Sequence, residues 1–301
     1  MGLLEAHARL AGKNAVVVGG ASGIVGRAVS LGLAKAGIHI ASIDNDEKDA
    51  VGIVPEIEAH GVRMLSIYGD ATDVAALDRF YDRVENEFDR IDIVVNVAGG
   101  VQRGLLLEKT REQDAHDIRL NYGYVIDSMR RAIPLIRKGG RGGSIINFTT
   151  IEAHRGAATF AVYAGAKAAT TTFSRAMALE LGADQIRVNL IAPDSSPARA
   201  SHNAMRPTDI ERIAALGPNA MALMEEGAKM YIPLKQSPAV DDIVNGVLFL
   251  ASDLSRAITG TTLHIDGGTI AAMGFLDWPH GDGFMPVPLG GSVSRLFGTG
   301  E

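Results

Sequence analysis

Seven short runs of apolar and β-branched residues alternate with longer amphipathic segments, and this alternation constrains the fold more than any other feature. The runs cover 14–19 (NAVVVG), 38–43 (IHIASI), 62–67 (VRMLSI), 91–96 (IDIVVN), 144–149 (SIINFT), 186–191 (IRVNLI) and 262–265 (TLHI). They are apolar almost throughout rather than at every second residue, the pattern of parallel strands covered on both faces. Between them the apolar spacing changes to three and four. In 73–88, Val74, Leu77, Phe80 or Tyr81, Val84 and Phe88 fall on one helical face. Such alternation predicts an α/β chain: a doubly wound parallel sheet of about seven strands with helices on both faces. Length alone, 301 residues, points to two domains, but no linker interrupts the rhythm before about Gly274. The expectation is therefore one domain over 1–273, with an insertion at 194–237, and a Gly- and Pro-rich arm at 274–301.

Composition excludes several classes of function. A net charge of −6 without a basic run argues against nucleic acid and anionic membranes. The absence of cysteine removes disulfides, thiolate metal sites and cysteine nucleophiles, and fits a reducing compartment. The start of the chain lacks the basic, then apolar, pattern of a signal peptide, and no apolar run approaches the roughly 18 residues of a membrane helix. A soluble, cytoplasmic protein is expected. The histidines form no HExxH pair, His154 reads as a loop residue or pocket wall, and no GxSxG elbow occurs, so no metal is expected.

The first strand runs into a glycine-rich loop, Gly19-Gly20-Ala21-Ser22-Gly23-Ile24-Val25-Gly26, and a helix follows at once. Glycines let backbone approach a pyrophosphate whose charge meets the helix N-terminus. The second strand ends in Asp44, 18 residues after Gly26, where a carboxylate can accept from an adenosine ribose and would repel a 2′-phosphate. The plainer alternatives are an ordinary strand-helix turn and a helix cap at Asp44. Further on, Tyr163 and Lys167 stand four apart and so share a helical face. An ammonium there would lower a phenol's pKa from near ~10 and make it a general acid/base. Any amphipathic helix can also carry this pair.

Taken together, these motifs resemble the short-chain dehydrogenase/reductase family over roughly residues 10 to 272. Tyr163-Ala-Gly-Ala-Lys167 matches its YxxxK motif, NVAG (96–99) its NNAG, GDATD (69–73) its segment beside adenine, and RVNLIAP (187–193) and ITGTTLHIDGG (258–268) its later blocks. The resemblance implies a Rossmann-like fold, NAD as cofactor and alcohol-ketone interconversion by hydride transfer. It makes Tyr163 the acid/base and Lys167 its tuner and ribose contact. It also implies that Asn121 completes a proton relay and that Thr150, 13 residues before the tyrosine, replaces a serine as donor to the substrate oxygen. Cofactor contacts are expected at Gly19, Ser22, Gly23, Ile24, Asp44, Asp70, Ala71, Asn96, Ala98, Gly99, Tyr163, Lys167, Pro193 and Ser196.

Three positions depart from the family pattern. In its GxxxGxG loop the last glycine falls one residue late, at Gly26. Thr150 stands for serine, and keeps the hydroxyl while adding a methyl. Pro193-Asp194 replaces the family's PG, with Ser195 or Ser196 as stand-ins for a downstream threonine. The insertion contains Met205, Met221, Met224 and Met230, a flexible apolar wall that suits a bulky cyclic or steroid-like alcohol or simply ordinary core. A hydroxyacyl thioester, a polyol, or a silent NAD-binding sensor remain open. The arm carries Phe275, Trp278, Phe284, Met285, Leu289 and Phe297, too apolar for a solvated tail. It is expected to be ordered without regular secondary structure and to pack across a subunit interface of a homotetramer.

Overall fold

The computed structural model describes residues 2–194, 207–215, 217–277 and 283–286. Seven strands form one sheet: β1 (Asn14–Val18), β2 (His39–Asp44), β3 (Met64–Tyr68), β4 (Ile93–Asn96), β5 (Gly143–Phe148), β6 (Ile186–Pro193) and β7 (Thr262–Ile265). Their spatial order is β3-β2-β1-β4-β5-β6-β7, and the pairings from β3 across to β6 are parallel. The doubly wound parallel sheet expected from the apolar runs is the one observed. Chain order reverses between β1 and β4, so the carboxyl ends of these two strands border the crevice where such sheets bind ligands.

Burial explains the strand pattern. Every residue of β1 and β4 is buried, and the helices Val74–Phe88 and Tyr124–Gly139 cover one face with Leu77, Phe80, Val84, Val125, Met129 and Ile136. At the sheet's edge β3 is only half-buried and starts at Met64, two residues later than the apolar run. Helix Val74–Phe88 is capped by Asp73, whose carboxylate accepts from Ala75 N–H at 3.0 Å.

By compactness the chain divides into two units, Met1–Ala192 with Val240–Leu263 and Pro193–Ala239 with His264–Glu301. The second unit contains helices Pro207–Ala215 and Ala220–Tyr231 and two further strands, β8 (Phe275–Asp277) and β9 (Phe284–Pro286). Asp194 accepts from the hydroxyls of Tyr231 (2.9 Å) and Thr269 (3.0 Å). The arm departs from the sequence expectation, because β8 and β9 pair antiparallel with Leu276 opposite Met285. The ladder satisfies backbone groups that irregular chain would leave to water. Lys235 reinforces it, forming an ion pair with Asp277 and lying 4.8 Å over the Phe284 ring. Trp278, Leu289 and Phe297, like Ser195, Ser196 and Met205, lie outside the described residues. No helix among the described residues is long and apolar enough to cross a membrane.

Candidate active site

The glycine loop leaves β1 with Gly19 at φ 82°, a left-handed conformation in which a side chain would also strike Ala98 at 2.8 Å. Gly23 is the N-cap of helix Ile24–Lys35, and a Cβ there would meet nothing within 4 Å. At Gly26 a Cβ would sit 1.9 Å from the Gly19 carbonyl oxygen. The late glycine thus performs the close helix-to-loop packing, while Val25 occupies the position where the family pattern has it. An open glycine N-cap leading into a helix whose first turn carries no acid fits a pyrophosphate.

Asp44 is buried at the end of β2 and is not a helix cap; Asp46 caps the next helix instead. Asp44 Oδ2 accepts from the backbone N–H groups of Ala21 (2.9 Å) and Ser22 (2.8 Å). Its Oδ1 accepts from the Ser22 hydroxyl at 2.6 Å and from Asp46 N–H at 3.2 Å. The carboxylate therefore ties the second strand to the glycine loop with all its acceptor positions engaged. Arg27, which follows the loop's last glycine, is paired with Glu56.

Asp70 and Ala71 lie at the end of β3. Asp70 is exposed and accepts from the N–H and hydroxyl of Thr72, both at 2.8 Å, within its own turn, while Ala71 packs against the core. Asn96 is buried and holds neighbours rather than facing outward. Its amide donates to Asn147 at 2.8 Å and its oxygen accepts from Ser128 at 2.7 Å. A chain of polar groups continues on both sides, from Tyr81 to Ser128 (2.7 Å) and from Asn147 to Ser174 (2.8 Å). Ala98 accepts from the Tyr124 hydroxyl through its carbonyl at 2.7 Å, and Pro193 ends β6 within the second unit.

The remaining candidates converge. Helix Ala161–Glu180 carries both Tyr163 and Lys167. A Cβ at Gly99 would lie 3.1 Å from both Lys167 Nζ and Asn121 Oδ1, so the two side chains flank this glycine. Asn121 sits in a one-turn π-helix, Arg119–Gly123, between the helices Arg111–Ile118 and Tyr124–Gly139. Such turns free backbone groups and mark functional sites. Here Thr170 donates to the Asn121 carbonyl at 2.8 Å, while the Asn121 amide donates to Gly100 O (2.8 Å) and Asp117 O (2.9 Å). Beneath it Asp117 forms a buried ion pair with Lys109. Burial pulls the Lys109 pKa down, but its bonds to Asp117 and Asp114 outweigh this and raise it.

Thr150 lies extended beyond β5 and caps the short turn Ile151–His154. Its hydroxyl lies close enough to the Tyr163 phenol to influence it, and donates to Glu152, whose other oxygen pairs with Arg155 at 2.8 Å. Lys167 Nζ donates to Phe148 O at 3.0 Å. Burial pushes the Tyr163 phenol up to about 12; the Thr150 hydrogen bond lowers it and the Glu152 charge raises it further. Burial takes Lys167 down to about 8. In the protein by itself the phenol therefore lies above its ordinary value rather than below it, because desolvation of tyrosinate outweighs the Thr150 contribution. Glu152 and the buried polar chain were not foreseen. Among the described residues no group of three His, Asp or Glu side chains could hold a metal.

A family model described as enoyl-(acyl carrier protein) reductase matches residues 19–269. The chain is 32% identical over 261 residues to 2,3-dihydro-2,3-dihydroxybenzoate dehydrogenase of Bacillus subtilis, covering 85% of this chain and 95% of the relative. It is 34% identical over 260 residues to 2,5-dichloro-2,5-cyclohexadiene-1,4-diol dehydrogenase of Sphingobium indicum, covering 86% and 97% respectively. Among solved structures it resembles carveol dehydrogenase from Mycobacterium avium in complex with NAD, with a TM-score of 0.78, 28% identity, and coverage of 88% and 99%.

Proposed function

Because this chain belongs to the short-chain dehydrogenase/reductase family and is an oxidoreductase of alcohol groups, we propose that it interconverts a cyclic secondary alcohol and its ketone with NAD. The observation that carries this reading is the meeting of Thr150 with Tyr163, on the helix whose Lys167 flanks Gly99 together with Asn121.

In oxidation, Tyr163 as phenolate takes the proton of the substrate hydroxyl, and Thr150 holds the same oxygen. Lys167 opposes the phenolate charge, and Asn121 fixes Gly99 and Gly100. In reduction Tyr163 returns the proton. NAD, when bound, supplies the hydride acceptor or donor. Gly19, Ser22, Gly23 and Ile24 would hold its pyrophosphate, with Ala98 and Gly99 along its path. Asp44 would meet the adenosine ribose once Ser22 turns its hydroxyl away, and Asp70 and Ala71 the adenine. Asn96 serves by keeping β4 in register with β5.

The relatives support a cyclic substrate, since their names specify a dihydro-dihydroxybenzoate, a dichloro-cyclohexadiene-diol and carveol. The Met-rich segment supports a bulky, apolar one. The proposed setting is cytoplasmic, as a homotetramer with the arm at a subunit interface; sedimentation of a chain ended after Met273 tests the assembly, which should weaken. Incubation with NAD and a panel of cyclic secondary alcohols, followed by absorbance of the reduced nicotinamide, tests the chemistry. Turnover is expected with NAD and much less with NADP, because a 2′-phosphate would face the Asp44 carboxylate. Equal kcat/KM with both would overturn the cofactor choice, and no oxidation of any alcohol would overturn the reaction.

A further inference from the structure

Thr150 has one proton to give, and it gives it to Glu152. A hydroxyl offers one donor and two acceptor positions. On the acceptor side, Thr150 Oγ1 receives the Glu152 N–H at 3.4 Å. To donate to a reacting oxygen, Thr150 must release Glu152. The Glu152 side chain is only 14% exposed, and Arg155 engages just one of its oxygens, at 2.8 Å. The released oxygen would be a largely buried acceptor with an open position, which is costly unless something else donates to it.

We propose that Glu152 is a specificity-determining residue whose freed carboxylate oxygen accepts a hydrogen bond from a second hydroxyl of the substrate, beside the one that reacts. This rests on the reading of Thr150 and Tyr163 given above, and it narrows the substrate to a vicinal cyclic diol. Adjacency follows from the geometry, since the carboxylate oxygen is one hydrogen bond from Thr150, itself one hydrogen bond from the reacting oxygen. A hydroxyl on the neighbouring carbon spans that interval. An amine in the same place is disfavoured, because Arg155 already balances the carboxylate and would repel a second cation. A mono-alcohol forces the exchange without replacing the lost bond. Sites built around a substrate hydroxyl reject analogues lacking it for this reason.

The test uses the whole protein with NAD and two probes, cis-1,2-cyclohexanediol and cyclohexanol. The unaltered protein should favour the diol in kcat/KM by on the order of 10- to 100-fold, the range set by a buried, charged acceptor left unpaired. Glu152→Ala should collapse that ratio to near unity, chiefly through gain on the mono-alcohol, which no longer strands a buried acceptor. Glu152→Gln keeps one acceptor oxygen and should retain part of it, which guards against a variant that folds poorly. Binding of each probe to the protein loaded with NADH, which cannot oxidise an alcohol, measured by calorimetry, gives a readout independent of turnover. Should neither alcohol be oxidised, the proposed reaction fails, yet diol-selective binding that disappears in Glu152→Ala would still uphold this assignment. Equal binding and turnover of the two probes, or a ratio unmoved by both substitutions, would overturn it and leave Glu152 a structural member of its turn.

Discussion

The two ends of the crevice treat their polar groups in opposite ways. At the glycine loop Asp44 accepts four hydrogen bonds from Ala21, Ser22 and Asp46, and the charge of Arg27 is met by Glu56. At the reacting end Lys167 is buried and Tyr163 half-buried, with their pKa values displaced in opposite directions, each toward its neutral form. The first end resembles a finished structural joint, and a ligand must compete for its acceptors. The second holds groups that desolvation has made unstable as ions, ready for a charged partner or a proton. Stability and reactivity are thus weighted toward opposite ends of one crevice, and the substitutions below probe each end in turn.

The largest effect falls on the reacting end. Tyr163→Phe removes the acid/base and should reduce turnover on the order of 10³-fold or more, while NAD binding by calorimetry persists. In the unaltered enzyme the oxidation rate should climb with pH, because a phenol raised to about 12 gains phenolate only as pH rises. The reduction rate, which needs the protonated phenol, should stay level until pH nears 12, and an oxidation rate that does not change with pH would contradict the assignment of Tyr163. Next comes Thr150→Val, nearly isosteric but without the hydroxyl, which should lose on the order of 10²-fold in kcat, whereas Thr150→Ser stays active. Full activity in the valine variant would deny Thr150 any part in the chemistry.

Why these residues were legible from sequence, and others not, follows from how each is held. Tyr163 and Lys167 announce themselves because a helix converts a spacing of four into adjacency. Gly19, Gly23 and Asp44 are readable because strand ends and helix starts fix them in order. The chain Tyr81–Ser128–Asn96–Asn147–Ser174 has no such signal, since its members come from three helices and two strands and touch only after the sheet assembles. Asn96 is expected to line the cofactor, and its side chain is taken up by Ser128 and Asn147. Glu152 lies two residues from Thr150, but only the turn Ile151–His154 brings its carboxylate back onto the hydroxyl. The β8–β9 pairing was hidden by glycine and proline content that describes loops equally well.

Lys167→Met carries the comparison into stability. Burial lowers this lysine from 10.5 to about 8, which corresponds to ~3 kcal/mol against its charged form. Below pH 8 the folded protein bears that whole cost, since lysine is charged both folded and unfolded. Between about 8 and 10.5 the folded lysine is neutral and the unfolded one charged, so native stability gains from this group as pH rises. The methionine variant should therefore melt higher than the unaltered protein at pH 7, less the lost bond to Phe148 O, with the advantage fading toward pH 10. It should also lose turnover and bind NAD more weakly. A lower Tm at pH 7 would mean that the hydrogen bond outweighs desolvation.

The smallest effect belongs to the glycine-loop end. Ser22→Ala removes the 2.6 Å hydroxyl bond to Asp44 Oδ1 but leaves both backbone bonds to Oδ2. A hydrogen bond to a charged group contributes roughly 1.5–3 kcal/mol, and the three remaining partners together with the partial exposure of Ser22 put the expected loss near the lower figure. Thermal melting without cofactor should thus shift down by a few degrees. Binding should move the other way, because the ribose no longer competes with Ser22 for the Oδ1 lone pair. The Kd for NAD should stay level or fall, so saturating NAD should recover the lost melting temperature. If NAD instead binds much more weakly, the serine hydroxyl is itself a cofactor contact, and Asp44 meets the ribose only through the loop it holds.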